Sequence, residues 1–145
     1  MKLTITDFET NFVNNFFKKE YRERMLFDLN KKENRWLKVG NKIERIEDYL
    51  RNEVKHLAGP KELIGIENIF KRLNYRKDSL CYYFSPPGDF DRSIIPLEQA
   101  VNLSEINPGL EVLIICEDCK MIYVRREKRM GYVPRDIFNI NKIFC

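Results

Sequence analysis

The chain of 145 residues holds one histidine, one tryptophan and six glycines scattered singly. Any histidine-based dyad would therefore have to use His56. Isolated glycines leave no G-x-x-x-x-G-K phosphate loop, and Ser79, Ser85, Ser93 and Ser104 lie outside any G-x-S-x-G elbow. No apolar run exceeds five residues, as in Val112–Cys116, whereas a bilayer span needs about 20. The start MKLTITDFET reaches Asp7 and Glu9 before any apolar stretch, which argues against a secretory signal. With no such signal, the four cysteines read as reduced thiols of a cytoplasmic protein.

What is present suits one globular domain over 1–145. Hydrophobic residues make up 43%, with ten Phe and seven Tyr to fill a core, so disorder is excluded. The net charge is only +4, but it is unevenly placed. Residues 1–77 carry 18 basic and 12 acidic groups. Residues 78–118 hold eight carboxylates against Arg92 alone, and 119–135 reverse the sign with six basic groups against Glu127. Such a dipolar surface can steer a charged partner, although ordinary solvated surface has the same composition.

Residues 1–77 read as a helical half. Thr6 and Glu9 have capping-box spacing, and Phe8, Phe12, Phe16, Met25, Leu26 and Leu29 continue an apolar stripe, predicting a helix over about 7–29. Asn41 opens a second helix carrying Ile43, Ile46, Leu50, Val54 and Leu57, stopped by Gly59-Pro60. Ile66, Ile69, Phe70 and Leu73 mark a third. The period then changes over 78–145, the strand half. LCYYF (80–84) and Ser93-Ile94-Ile95 are β-prone, and Pro96 suits the first turn of a helix with Leu97, Ala100 and Val101. LEVLIIC (110–116) and KMIYVR (120–125) form a hairpin around Glu117-Asp118, and the apolar segment from Gly131 to Phe144 closes the sheet. Helices followed by strands predict an α+β domain, N-terminal helices packed on a C-terminal antiparallel sheet.

Four groups of residues could carry chemistry. Cys116-Glu117-Asp118-Cys119 has the spacing of a redox couple or half a zinc site. The hairpin turn and its two acids would raise a thiol pKa, however, and no second ligand pair accompanies it, so structural thiols are the plainer reading. No cofactor or metal is expected. His56 falls near the end of the second helix, where a capping or surface role suits it. Arg125, Arg126, Lys128 and Arg129, flanked by Tyr123 and Tyr132, offer phosphate contacts and stacking to single-stranded RNA. Finally, Tyr83, Asp89, Phe90 and Asp91 set aromatic anchors and acids in and after a Pro-Pro turn. With Glu98, Glu117 and Asp118 of the same acidic block they form a candidate surface for a basic protein. Strand alternation leaves open that Tyr83 is simply core.

Lys-Lys-Glu-Tyr-Arg-Glu-Arg (18–24), the D-x-x-x-I-P-L-E-Q-A pattern (91–100) and the hairpin LIICEDCKMIYV (113–124) add a likeness of style. In these features the chain resembles bacterial immunity proteins of contact-dependent growth inhibition and related polymorphic toxin systems. The resemblance implies a cytoplasmic protein, with no catalysis of its own, that binds a cognate toxin domain and blocks its active site. Such toxins are often basic nucleases, and many immunity proteins are acidic, so here only 78–118 would supply the complementary charge. The alternative is an RNA-binding accessory protein using 125–129.

Overall fold

The structure is a computed structural model that describes residues 3–31, 33, 35–85, 90–106, 111–127 and 131–141. Six antiparallel strands form one sheet in the order β1-β6-β5-β4-β2-β3. They are β1 (Lys55–Ala58), β2 (Leu80–Phe84), β3 (Ser93–Pro96), β4 (Val112–Ile115), β5 (Met121–Arg125) and β6 (Arg135–Asn139). The helices are α1 (Ile5–Phe16), α2 (Lys19–Leu29), α3 (Arg35–Glu44), α4 (Ile66–Leu73) and α5 (Leu97–Ile106). The expected α+β domain with its antiparallel sheet is what forms, with helices on both faces. No helix among the described residues is long and apolar enough to cross a membrane.

Strand alternation divides the core into two apolar layers. Tyr82, Phe84, Leu113, Ile115, Ile122, Val124 and Phe138 face α1–α3 and pack with Phe8, Phe12, Phe16 and Phe17. Tyr83, Val112, Ile114, Tyr123 and Ile137 face the other way and pack with Ile69, Leu73, Leu97 and Val101 of α4 and α5. Covering both faces explains why β2 and β4 read as continuous apolar runs rather than alternating ones.

Four local expectations are corrected. The helix over 7–29 is broken at Phe17, whose backbone is extended (φ −92°, ψ 145°). Phe16 and Phe17 would point about 100° apart on a continuous helix. The break buries both, at 0% and 1% exposure, while Lys18 N–H donates to Tyr49 O and Arg51 N–H to Phe16 O. The capping box belongs to Thr4 and Asp7 instead of Thr6 and Glu9: Asp7 N–H donates to Thr4 Oγ1 and Thr4 N–H to Asp7 Oδ2. That leaves Glu9 free to turn inward.

The helix expected to open at Asn41 begins at Arg35 instead, with Asn41 inside it, and stops at Glu44; a short 3-10 turn follows over Ile46–Asp48, and 55–58 is strand β1 rather than helix. Pairing of Lys55 with Asn139 and His56 with Phe138 outweighs the helical spacing of Val54 and Leu57. Pro96 ends β3, with the helix starting at Leu97. It opposes Leu80 on the sheet-edge strand, and Leu97 N–H donates to Ser79 O one step further on. By strand alternation the missing N–H of Pro96 therefore points to the open edge, where no ladder bond is lost.

A buried ion pair fastens α1 to the β2–β3 loop. Glu9, 2% exposed, accepts from Tyr82 Oη at 2.5 Å and from Arg92 Nε and Nη2 at 2.8 and 2.7 Å. Arg92 holds a left-handed backbone (φ 57°), which costs a non-glycine residue conformational energy. Burial alone would lower the Arg92 pKa, yet its bonds to Glu9 raise it. Arg92→Ala should therefore strand a buried carboxylate and cost about 3–5 kcal/mol. Urea unfolding measures this directly, and a loss below about 1 kcal/mol would show that Glu9 is not held by Arg92.

Candidate partner-binding face

The β2–β3 pair has two ends, and the predicted partner residues divide between them. At the loop end, Phe90 is exposed, whereas Asp91 is already engaged: its Oδ1 accepts from Ser85 N–H at 3.0 Å. Asp89 lies outside the described residues. Tyr83 is core, at 2% exposure, beneath α5, which corrects its assignment as an anchor.

At the other end the acids converge. Glu98 N–H donates to Lys77 O at 2.9 Å, so α5 begins beside the segment that leads into β2. The 117–118 turn follows β4, which pairs with β2, and Tyr75 Oη donates to Asp118 Oδ1 at 2.7 Å. Cys119 N–H closes the turn onto Cys116 O at 2.9 Å, and Cys119 takes the left-handed conformation (φ 57°) that the tight turn demands. Two adjoining hollows result, with Asp78 on the wall of both. One is lined by Glu98, Leu103 and Ile106 of α5, the other by Leu80, Ile94, Glu117 and Asp118. Across the two, five carboxylates line the walls beside Lys77 and Arg76, and one of the five, Glu105, is already paired with Arg135. Leu80 and Ile106 are exposed apolar side chains at 37% and 74%. Asp78 is the residue missing from the predicted set, although it opens the acidic block; nothing in its sequence setting marks it as central.

The basic cluster is largely interior. Arg125 and Arg126 are 3% and 7% exposed, so neither is presented to a nucleic acid, a correction to the RNA reading. Arg126 instead reaches Glu47 Oε1 and Oε2 at 2.7 and 2.6 Å, Asp136 Oδ2 at 2.9 Å and Glu44 O at 3.2 Å. Lys128 and Arg129 lie outside the described residues. Burial raises the Glu47 pKa, but Arg126 outweighs it and the net shift is downward. His56 belongs to the same network from β1, its Nε2 lying 2.8 Å from Asp136 Oδ1, so its helix-capping role is replaced by a strand-edge contact.

The cysteine pair is also resolved. Cys116 packs under α4 and α5 while Cys119 packs under α1–α3, so the two thiols occupy opposite faces of the sheet. They cannot share a zinc ion or close a disulfide without dismantling the turn. Burial pushes Cys116 well above the ordinary thiol value, Cys81 to about 12 and Cys119 to about 11. The carboxylates of Glu44, Glu111 and Glu127 approach within 4.8 Å of one another. They are the one grouping of metal-ligating type among the described residues, and burial followed by the charges of Glu44 and Glu127 raises Glu111.

Compared with known families, curated proteins and solved structures, the chain matches none.

The thiols set a pH dependence with a definite sign. A folded-state pKa above the unfolded value of 9.0 means that the unfolded chain alone releases the proton between pH 9 and the folded value. Stability is thus intact below pH 9 and falls above it, by about 1.4 kcal/mol per pH unit for each withheld proton. Urea midpoints should decline from pH 9 upward, less steeply in Cys81→Ala. An identical slope in that variant would mean Cys81 ionises freely in the folded protein.

Proposed function

We propose that this chain is a binding protein of the immunity type, which docks a basic toxin domain on the acidic hollows beside β2. The observation that carries the reading is the convergence of Asp78, Glu98, Glu117 and Asp118 around exposed Leu80 and Ile106 and half-buried Ile94. Carboxylates arranged around apolar anchors offer what a nuclease cleft is built to take. The acids stand where substrate phosphates would lie, and the apolar groups exclude water from the contact. The Asp78 and Arg76 pair at 2.8 Å is solvent-exposed on both sides and so easily exchanged for a partner's cation. The neutralising mechanism is steric and electrostatic, with no chemical step.

Burial of Arg125 and Arg126 counts against RNA binding as the alternative. It removes half of the four-residue cluster that would have met phosphate.

Protection from a toxin domain encoded by a neighbouring gene, which the proposal requires, tests it. Coexpression should restore growth. The triple variant Glu98→Lys, Glu117→Lys and Asp118→Lys should fail to protect while melting close to wild type, since exposed charges move stability by only about 0.5 kcal/mol each. Each reversal at the contact replaces attraction with repulsion, and a lost close charge pair costs about 2–5 kcal/mol of binding. Equal protection by the variant would overturn this placement of the interface, and absence of protection by the wild type would overturn the function.

A further inference from the structure

Cys81 and Cys116 are brought together by the sheet rather than by the sequence. Tyr82 pairs with Ile115, Tyr83 with Ile114 and Phe84 with Leu113. One more step in that register sets Cys81 opposite Cys116. Both side chains are 1% exposed and belong to the same apolar layer under α4 and α5.

The hydrogen-bond parity of the sheet defines what kind of pair this is. Cys116 N–H donates to Met121 O at 3.0 Å, so its backbone groups face β5 and those of Ile115 face β2. Tyr82 and Ile115 are therefore the bonded pair, and Cys81 and Cys116 the non-bonded one. The far side of β2 gives the same answer independently. Leu97 N–H donates to Ser79 O at 2.8 Å, two residues before Cys81, which turns the Cys81 backbone toward β3 and away from β4. Non-bonded antiparallel pairs hold their Cα atoms about 4.5 Å apart with side chains closest. Disulfides span Cα separations of about 4.4–6.8 Å. The thiol of Cys81 now donates to Ile95 O at 3.4 Å, a weak bond that rotation about its side chain can give up.

We propose that Cys81 and Cys116 form a latent cross-strand disulfide site, closed by exchange with a small disulfide such as oxidised glutathione. In the first step the Cys81 thiolate attacks one glutathione sulfur, the glutathione S–S bond breaks, and one glutathione thiolate leaves. In the second the Cys116 thiolate attacks Sγ of Cys81 in the mixed disulfide, the protein S–S bond forms, and the second glutathione leaves. Two protein thiols are oxidised, one glutathione disulfide is reduced to two thiols, and the two protein protons pass to the departing thiolates and solvent. Burial keeps both thiols protonated in the folded chain, so closure proceeds while β2 is open, during folding or a local opening. The bond would tie β2 to β4 next to Leu80, Glu117 and Asp118.

The test is a disulfide map of the full chain. The reduced, denatured protein is refolded in a glutathione redox buffer, trapped by alkylation, and digested for mass spectrometry. The expected dominant species is a Cys81–Cys116 linked peptide, two hydrogens lighter than its separate parts, from protein with the circular dichroism of the reduced fold and a higher melting temperature. Cys119→Ser should keep the link, whereas Cys81→Ser and Cys116→Ser should lose it. Dominant pairing through Cys119 or Cys145, a link confined to misfolded protein, or refolding with every thiol free would overturn the proposal. The wild-type map decides the matter even if a serine variant does not fold.

Discussion

Because helices cover both faces of the sheet, its inner strands have no side on which a polar group can meet water. This constraint sorts the whole chain. Apolar residues fill the strands continuously, and every charge that enters a strand must be met there by another group. Asp136 of β6 meets Arg126 and His56, and Arg135 meets Glu105 of α5 through two bonds at 3.1 and 2.9 Å. The remaining charge lies on the outer faces of the helices, on turns and at strand ends. The acidic hollows at the start of β2 are one such place.

The buried ion pairs fix how the layers sit on one another. Glu9 ties α1 to Arg92 and Tyr82 on one side, and Arg126 ties the Ile46–Asp48 turn to β6 on another. Desolvation makes such pairs weak sources of net stability, but misalignment strands a buried charge, so they penalise every alternative docking of α1–α3. The layers are consequently held in a single arrangement, and the position of the acids follows from it.

Much of the fold was legible because period survives burial. The hairpin of β4 and β5 around Glu117-Asp118, the run 80–84 and the helix at 66–73 all form where their patterns place them. Phe17 and β1 were not legible. A helical stripe continues past Phe17, and only the position of Leu50, which bridges to it, makes an extended residue better there. Likewise Val54 and Leu57 keep helical spacing, and β6, about 80 residues later, is what draws 55–58 into the sheet. The site was half legible. Charge density singled out 78–118, but whether an arginine points into a core or into water depends on partners distant in sequence. Arg125 and Arg126 had the spacing of a surface cluster and the burial of core residues. The two cysteines of the C-x-x-C segment, three residues apart in sequence, were parted by the turn between them, while the register of β2 on β4 set Cys81 opposite Cys116.

The most direct measurement is backbone hydrogen exchange on the chain alone and in the presence of the proposed partner, a basic toxin domain encoded by a neighbouring gene. The account predicts slower exchange on binding at 76–80, 94–98 and 116–120, with the exposed loop around Phe90 unchanged. Protection confined to the loop around Phe90, or to 125–127 beside Glu44 and Glu47, would contradict it.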